Sequence, residues 1–86
     1  MVEAEILVTN PSGLHTRPAK KIVDASKKYS SEIFISKGDK KESAKNLIKL
    51  MKLGITSGNK IVLSCEGSDE SDALESIAAL IRGLTE

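Results

Sequence analysis

The amino-acid sequence predicts an α+β open sandwich, in which one β-sheet carries all of its helices on a single face. The chain has 86 residues, which suits one small domain with a single layer of sheet. Segments with strand alternation and segments with helical spacing follow in the order strand, helix, strand, strand, helix, strand, helix (βαββαβα). The two consecutive strands are joined by a tight turn, which indicates antiparallel pairing. We therefore expect residues 1–86 to form one domain.

The first strand and the first helix are separated by a turn. In VEAEILV, the apolar residues Val2, Ala4, Ile6 and Val8 occupy every second position, which predicts a strand with one apolar face. The turn residues TNPSG follow, so the strand should end before residue 10. A helix of about three turns is predicted next. Its inward face should consist of Ala19, Ile22, Val23 and Ser26.

The middle of the chain predicts a β-hairpin and a short helix. EIFIS is rich in β-branched and aromatic residues, KGD suits a tight turn, and KKES is a short polar strand typical of a sheet edge. The segment NLIKLMKL is predicted to be a helix that ends at Gly54, and TSGN forms the loop after it.

The last strand is predicted in KIVLSCEG. Its core face should carry Ile61, Leu63 and Cys65. The other face should carry Val62, Ser64 and Glu66. Cys65 is therefore interpreted as a core residue rather than a reactive thiol.

The longest helix is predicted in SDESDALESIAALIRGL. It has acidic residues in its first turn and Arg82 before Gly83 at its end, as the helix dipole favours. Its apolar positions at helical spacing are Leu74, Ile77, Ala78 and Ile81.

Composition excludes several functional classes. The 13 basic and 12 acidic residues nearly cancel, so the chain lacks the positive field that nucleic-acid binding needs. A small RNA-binding domain would also need stacking aromatics, and the only candidates are Tyr29 and Phe34. One cysteine and one histidine cannot build a metal cluster or an internal disulfide. The acidic N-terminus and the lack of a long apolar run predict a cytoplasmic protein without membrane insertion.

The strongest functional signal surrounds the only histidine, in NPSGLHTRPAKKIV. Proline is tolerated only in the first turn of a helix, so Pro18 predicts that the helix begins at about His15 or Thr16. With His15 as N-cap, the outward N–H groups of the first turn make an anion site beside the imidazole. Arg17 would add a forked charge that matches phosphate oxygens.

Smaller residues complete this constellation. Ser12 and Thr16 could donate hydroxyl hydrogen bonds, and Gly13 permits a close backbone approach. Taken singly, Ser12 and Gly13 are equally typical of a turn and Thr16 of a helix start. A neutral imidazole is nucleophilic without a partner base and would form an N-linked phosphohistidine. Because no nucleotide-binding loop, paired carboxylates or metal ligands accompany it, we expect a phosphoryl carrier without cofactor or metal rather than a self-sufficient enzyme.

The motif GLHTRPA resembles the active-site motif of HPr, the histidine-containing phosphocarrier family of the bacterial phosphoenolpyruvate-dependent sugar phosphotransferase system. NLIKLMKLGITSGNKI is similar to the second-helix segment of that family, and the resemblance covers the whole chain. It implies an open-faced β-sandwich, with three helices on one side of a four-stranded antiparallel sheet. It also implies that His15 accepts phosphate at Nδ1 from enzyme I and donates it to enzyme IIA domains of sugar permeases. Arg17 would neutralise the phosphoryl charge, and Pro18 would set the helix start.

The second helix has more apolar residues than one face can bury. Leu50 and Leu53 are assigned to the core. In the family this helix lies beside the active-site loop and docks on both partners. By that resemblance, the expected apolar contact residues are Leu47, Ile48 and Met51. The expected basic rim that attracts acidic partners consists of Lys27, Lys49 and Lys52. We expect a monomer.

A regulatory relative is the main alternative. It would dock on regulators, as in the nitrogen-related branch of the system, instead of feeding sugar transport, and a regulatory phosphorelay would retain His15. In many members of the family a serine at the start of the second helix is phosphorylated by a dedicated ATP-dependent kinase. Here that position is Asn46, which caps a helix about as well as serine but cannot be phosphorylated. Ser43 lies three residues upstream and is expected to be displaced from the position that the kinase reads.

Overall fold

The computed structural model describes residues 1–85, which form four strands and three helices in the predicted order. The strands are β1 (Val2–Leu7), β2 (Glu32–Lys37), β3 (Lys40–Ser43) and β4 (Lys60–Glu66). The helices are α1 (Thr16–Ser26), α2 (Leu47–Lys52) and α3 (Glu70–Arg82). The strands pair antiparallel in the order β1-β4-β2-β3. The predicted α+β open-faced sandwich is confirmed, with KKES as an edge strand.

The core lies between one face of the sheet and the helices. Alternation in the strands sends every second side chain to that face, and the pairing Ile33↔Cys65 and Ile35↔Leu63 aligns these side chains across the two central strands. The predicted inward face of α1 is buried throughout. Each fully buried Ile or Leu contributes about 1.5–3 kcal/mol, so these faces hold the helices on the sheet.

Two positions differ from the predicted faces. Ser64 points away from the helices but is only 1% exposed. It occupies a central strand between Glu3 and Phe34, so the larger neighbours cover its small side chain. In α3, Leu74 is only half-buried, while Ala73 is fully buried, because the face of α3 that contacts the sheet is centred nearer Ala73, Ile77 and Ile81.

A carboxylate joins the start of α3 to the loop before β2. Asp69, the N-cap of α3, accepts hydrogen bonds from the N–H groups of Ser30 and Ser31, each at 2.9 Å, and from the Ser31 hydroxyl. Gly67 lies against Ser31, where an added Cβ would approach the Ser31 Cα to 2.7 Å. Glycine is thus required for the loops to meet. This contact, the Asp69 clamp, lies outside the histidine loop.

Candidate functional site

The loop that precedes His15 is held by a tight turn. Asn10 accepts a hydrogen bond from the N–H of Gly13 on its carbonyl oxygen (3.1 Å) and donates its side-chain Nδ2 to the Gly13 carbonyl (2.7 Å). Gly13 has a φ of 60°, and an added Cβ would lie 2.5 Å from the Ile55 carbonyl oxygen. The Leu14 N–H donates to that same oxygen at 3.1 Å. Only glycine fits there, so the loop is fixed against the segment that follows α2.

His15 is the N-cap of α1, as the position of Pro18 predicts. Its backbone is extended, with φ −79° and ψ −169°, and its carbonyl accepts the first helical hydrogen bond, from Ala19 at 2.8 Å. An N-cap side chain commonly accepts from the N–H of the second or third helical residue. The third residue here is Pro18, which has no N–H, and the imidazole makes no capping bond. The ring is exposed at the positive end of the helix dipole.

The structure brings together all five residues that the sequence assigns to the phosphate site. They line one cavity of about 250 Å³ and are Ser12, His15, Thr16, Arg17 and Pro18. Pro18 is buried and anchors the cavity, whereas the other four are exposed to solvent. The cavity therefore presents an imidazole, a guanidinium and two hydroxyls beside the N-terminus of α1, which is a suitable site for a phosphate-sized anion.

The apolar residues of α2 and its C-cap differ in burial, and only Leu50, Leu53 and Ile48 lie fully as expected in the core or on the surface. Leu50 and Leu53 are buried, Leu47 and Met51 are half-buried against the core, and Ile48 is 69% exposed. We call the last three the α2 patch. The helix ends close to the histidine loop, because Ile55, which binds Leu14, lies just beyond it in the chain.

The three lysines of the expected rim are exposed but do not form one cluster at His15. Lys49 and Lys52 lie on α2. Lys27 caps the other end of α1, which places it about 18 Å from His15 at 1.5 Å per residue. Since α1 packs against α2, a partner that covers the α2 patch could reach the lysines of both helices.

Residues that fix the site were not identified from the sequence. Asn10 belongs to the turn signal TNPSG, which does not predict that its side chain is 3% exposed and bonded to the Gly13 carbonyl. Lys37 donates its Nζ to the Gly54 carbonyl (2.9 Å) at the end of α2, and Lys45 donates to the Tyr29 carbonyl (2.8 Å) near its start. No local pattern could reveal these bonds, because their partners lie 16 or 17 residues away.

Neither a metal centre nor a membrane span is found in the described part of the chain. Within residues 1–85, no three His, Cys, Asp or Glu side chains are grouped closely enough to hold a metal ion. No helix in the same range has the length and apolar character needed to cross a bilayer. Cys65 is fully buried, and burial raises the pKa of its thiol, with smaller contributions from Glu70 and Asp69. It is a core residue, as predicted.

Comparisons with known proteins give one consistent family. A family model described as "PTS HPr component phosphorylation site" matches residues 2–83. The phosphocarrier protein HPr of Haemophilus influenzae is 46% identical over 92% of this chain and 91% of its own. The HPr-like protein Crh of Halalkalibacterium halodurans is 44% identical over 94% of this chain and 96% of its own. A crystal structure of HPr from Thermoanaerobacter tengcongensis superposes with a TM-score of 0.93 at 41% identity, covering 95% of this chain and 92% of that one.

Proposed function

This chain belongs to the HPr family of phosphotransferase-system phosphocarriers, and from that premise we propose that it accepts a phosphoryl group on His15 from phospho-enzyme I and passes it to enzyme IIA domains of sugar permeases. The observation that carries the residue assignment is the single cavity at the start of α1. There the exposed imidazole lies with Arg17, Ser12 and Thr16 beside the helix N-terminus.

In the proposed transfer, the Nδ1 lone pair of His15 attacks phosphorus as the bond between phosphorus and the donor atom of phospho-enzyme I breaks. The His15 ring releases one proton and the leaving group of phospho-enzyme I takes one up, so charge and atoms balance. The dipole of α1 and the Arg17 guanidinium stabilise the negative charge on the three phosphoryl oxygens. In the onward step His15 is the donor: an acceptor on an enzyme IIA domain attacks phosphorus as the bond between phosphorus and Nδ1 breaks.

We propose that the α2 patch docks on both partners, with Lys27, Lys49 and Lys52 steering acidic surfaces toward it. Support comes from the exposure of Ile48 and from the position of α2 next to the histidine loop. We further propose that the protein works as a monomer. Structures of two related proteins are described as dimers, HPr from T. tengcongensis and Crh from Bacillus subtilis, so light scattering at micromolar concentration is the test.

A phosphorylation assay tests the proposed function. The protein is incubated with phosphoenolpyruvate and enzyme I, and we expect an acid-labile, base-stable adduct that maps to His15. His15→Ala should lose the adduct completely while its free energy of unfolding stays within about 0.5 kcal/mol of wild type, because the exposed ring makes no capping bond. A wild-type protein that remains unphosphorylated would refute the proposal.

A regulatory role is the second candidate, supported by the 44% identity to the HPr-like protein Crh. A pull-down distinguishes the regulatory role from the transport role. It measures how much enzyme IIA and how much transcriptional regulator bind to the phosphorylated and to the unphosphorylated protein. Preferential capture of a regulator and no transfer to any enzyme IIA would favour signalling.

A further inference from the structure

Asn10 is a buried polar residue whose role is not explained by packing. It is 3% exposed, and its Oδ1 has no hydrogen-bond partner among residues 1–85. Burying an acceptor without a partner is unfavourable, and an apolar side chain would avoid that cost. Asn10 does supply one group that an apolar residue lacks: its Nδ2 donates a hydrogen bond to the Gly13 carbonyl at 2.7 Å.

The Nδ2 bond acts on the conformation of the histidine loop. Together with the Gly13 N–H bond to the Asn10 carbonyl, it links residues 10 and 13 twice. Gly13 is in turn packed against the Ile55 carbonyl, which also accepts from Leu14. His15 follows immediately, so the direction in which its ring leaves the backbone depends on this double link.

We propose that Asn10 is a positioning residue for phosphoryl transfer, holding the loop so that the His15 imidazole stays beside the N-terminus of α1. The inference rests on the proposed function of His15 and extends it to a residue that touches neither phosphate nor partner. Without the side-chain bond, the loop from residue 10 to residue 14 samples other conformations, and the ring spends less time in the reactive geometry.

The test compares Asn10→Ala with wild type in two reactions. In steady-state transfer from phospho-enzyme I, we expect kcat to fall at least tenfold with KM within twofold, because the α2 patch is unchanged. With phosphoramidate, a small phosphoryl donor that needs no docking, the rate of phosphohistidine formation should fall by a similar factor. The matched control is Asp69→Asn, which removes the charge and one of the two acceptor oxygens of the Asp69 clamp, away from the site. It should lower stability but transfer phosphate at the wild-type rate.

Asn10→Ser keeps a hydroxyl donor on a shorter side chain and should transfer phosphate at an intermediate rate. If Asn10→Ala fails to fold, Asn10→Ser takes its place in the test. The inference would be overturned if a folded Asn10→Ala reacted at wild-type rates in both reactions. If Asn10→Ala does not fold, wild-type rates for Asn10→Ser would overturn it. An equal slowing of Asp69→Asn would also overturn it, because lost stability would then be the cause. Failure of the proposed function is distinct: wild type would react with phosphoramidate but not with phospho-enzyme I.

Discussion

Arg17 brings a guanidinium charge to the cavity that His15 also lines. It is the second residue of α1 and lines the cavity with His15. A charge-assisted hydrogen bond to a phosphoryl oxygen is worth about 1.5–3 kcal/mol, and each 1.4 kcal/mol changes a rate about tenfold. We therefore expect Arg17→Ala to slow transfer at least tenfold in both directions without unfolding the domain, as measured by rapid-quench kinetics and urea titration.

The control for Arg17 is Lys20→Ala. Lys20 is also exposed and basic on α1, but it pairs with Asp24 at 3.8 Å and does not line the cavity. Its removal should leave the rate within twofold of wild type. Equal rates for Arg17→Ala and wild type would show that the guanidinium does not stabilise the transferring group.

Local sequence was sufficient, for a physical reason, to predict where α1 begins and that the residues of the histidine site gather at one helix start. The missing N–H of Pro18 determines where α1 begins, and that in turn makes His15 the N-cap. The role of Asn10 could not be predicted, because the Gly13 to which it bonds is fixed by residues 55 and 56, which follow the hairpin and α2 in the chain. The turn residues TNPSG predict that the chain reverses direction, but they do not predict which distant segment packs against the turn.

The helix α2 permits a test of docking that is independent of the core. Ile48 is 69% exposed and lies on the opposite side of the domain from Leu7, which is 50% exposed on the open face of the sheet. Ile48→Glu should weaken binding to enzyme I at least tenfold, because an unpaired carboxylate would be desolvated at the centre of the contact. Calorimetry with unphosphorylated enzyme I measures the effect.

Leu7→Glu introduces the same charge outside the α2 patch and should leave affinity within twofold. Loss of affinity in Leu7→Glu but not in Ile48→Glu would move the docking site to the open face. Raising the salt concentration should slow association of wild type if the lysines steer acidic partners.

The N-terminus of α2 bears on regulation by serine phosphorylation. Asn46 caps the helix by accepting from the Lys49 N–H at 3.1 Å, so the fold does not need a serine there. Ser43 is the last residue of β3, is half-buried, and accepts from the Lys45 N–H at 3.1 Å. We expect no stable phosphoserine after incubation with ATP and the family's serine kinase, as judged by peptide mass mapping. Asn46→Ser is the positive control, and an acid-stable adduct at Ser43 would contradict the prediction.

On the scale of the whole molecule, periodicity predicted which residues face the core but not how the strands are ordered. The alternation in β4 and the helical spacing in α1 each depend on local geometry, and both gave the buried face correctly apart from Ser64. The order β1-β4-β2-β3 pairs residues that are far apart in the chain, for example Val2 with Cys65. The open sandwich could therefore be predicted from the order of the elements, whereas the four-stranded antiparallel sheet was expected from the family resemblance.

The Asp69 clamp predicts how global stability responds to acid. The Ser31 hydroxyl and then the Ser30 N–H lower the pKa of Asp69 in the folded state, so its carboxylate stabilises the fold above the unfolded pKa of about 3.9. That contribution is lost as the pH falls through the lower folded pKa. Asp69→Asn should therefore be less stable than wild type at pH 7, and the difference should shrink as the pH is lowered from 7 to values below the unfolded pKa. Urea unfolding across this range measures it.

The matched control for the clamp is Asp24→Asn, which removes an exposed carboxylate whose 3.8 Å pair with Lys20 is screened by solvent. Its difference from wild type should be small at both ends of the pH range. A penalty for Asp69→Asn that is the same at pH 7 and below pH 3 would mean that the protonated carboxyl holds the two loops as well as the carboxylate does. If the stability difference between Asp69→Asn and wild type disappears in acid, the ionised Asp69 side chain is what links α3 to the loop before β2. That one carboxylate then contributes to the cooperativity of the domain.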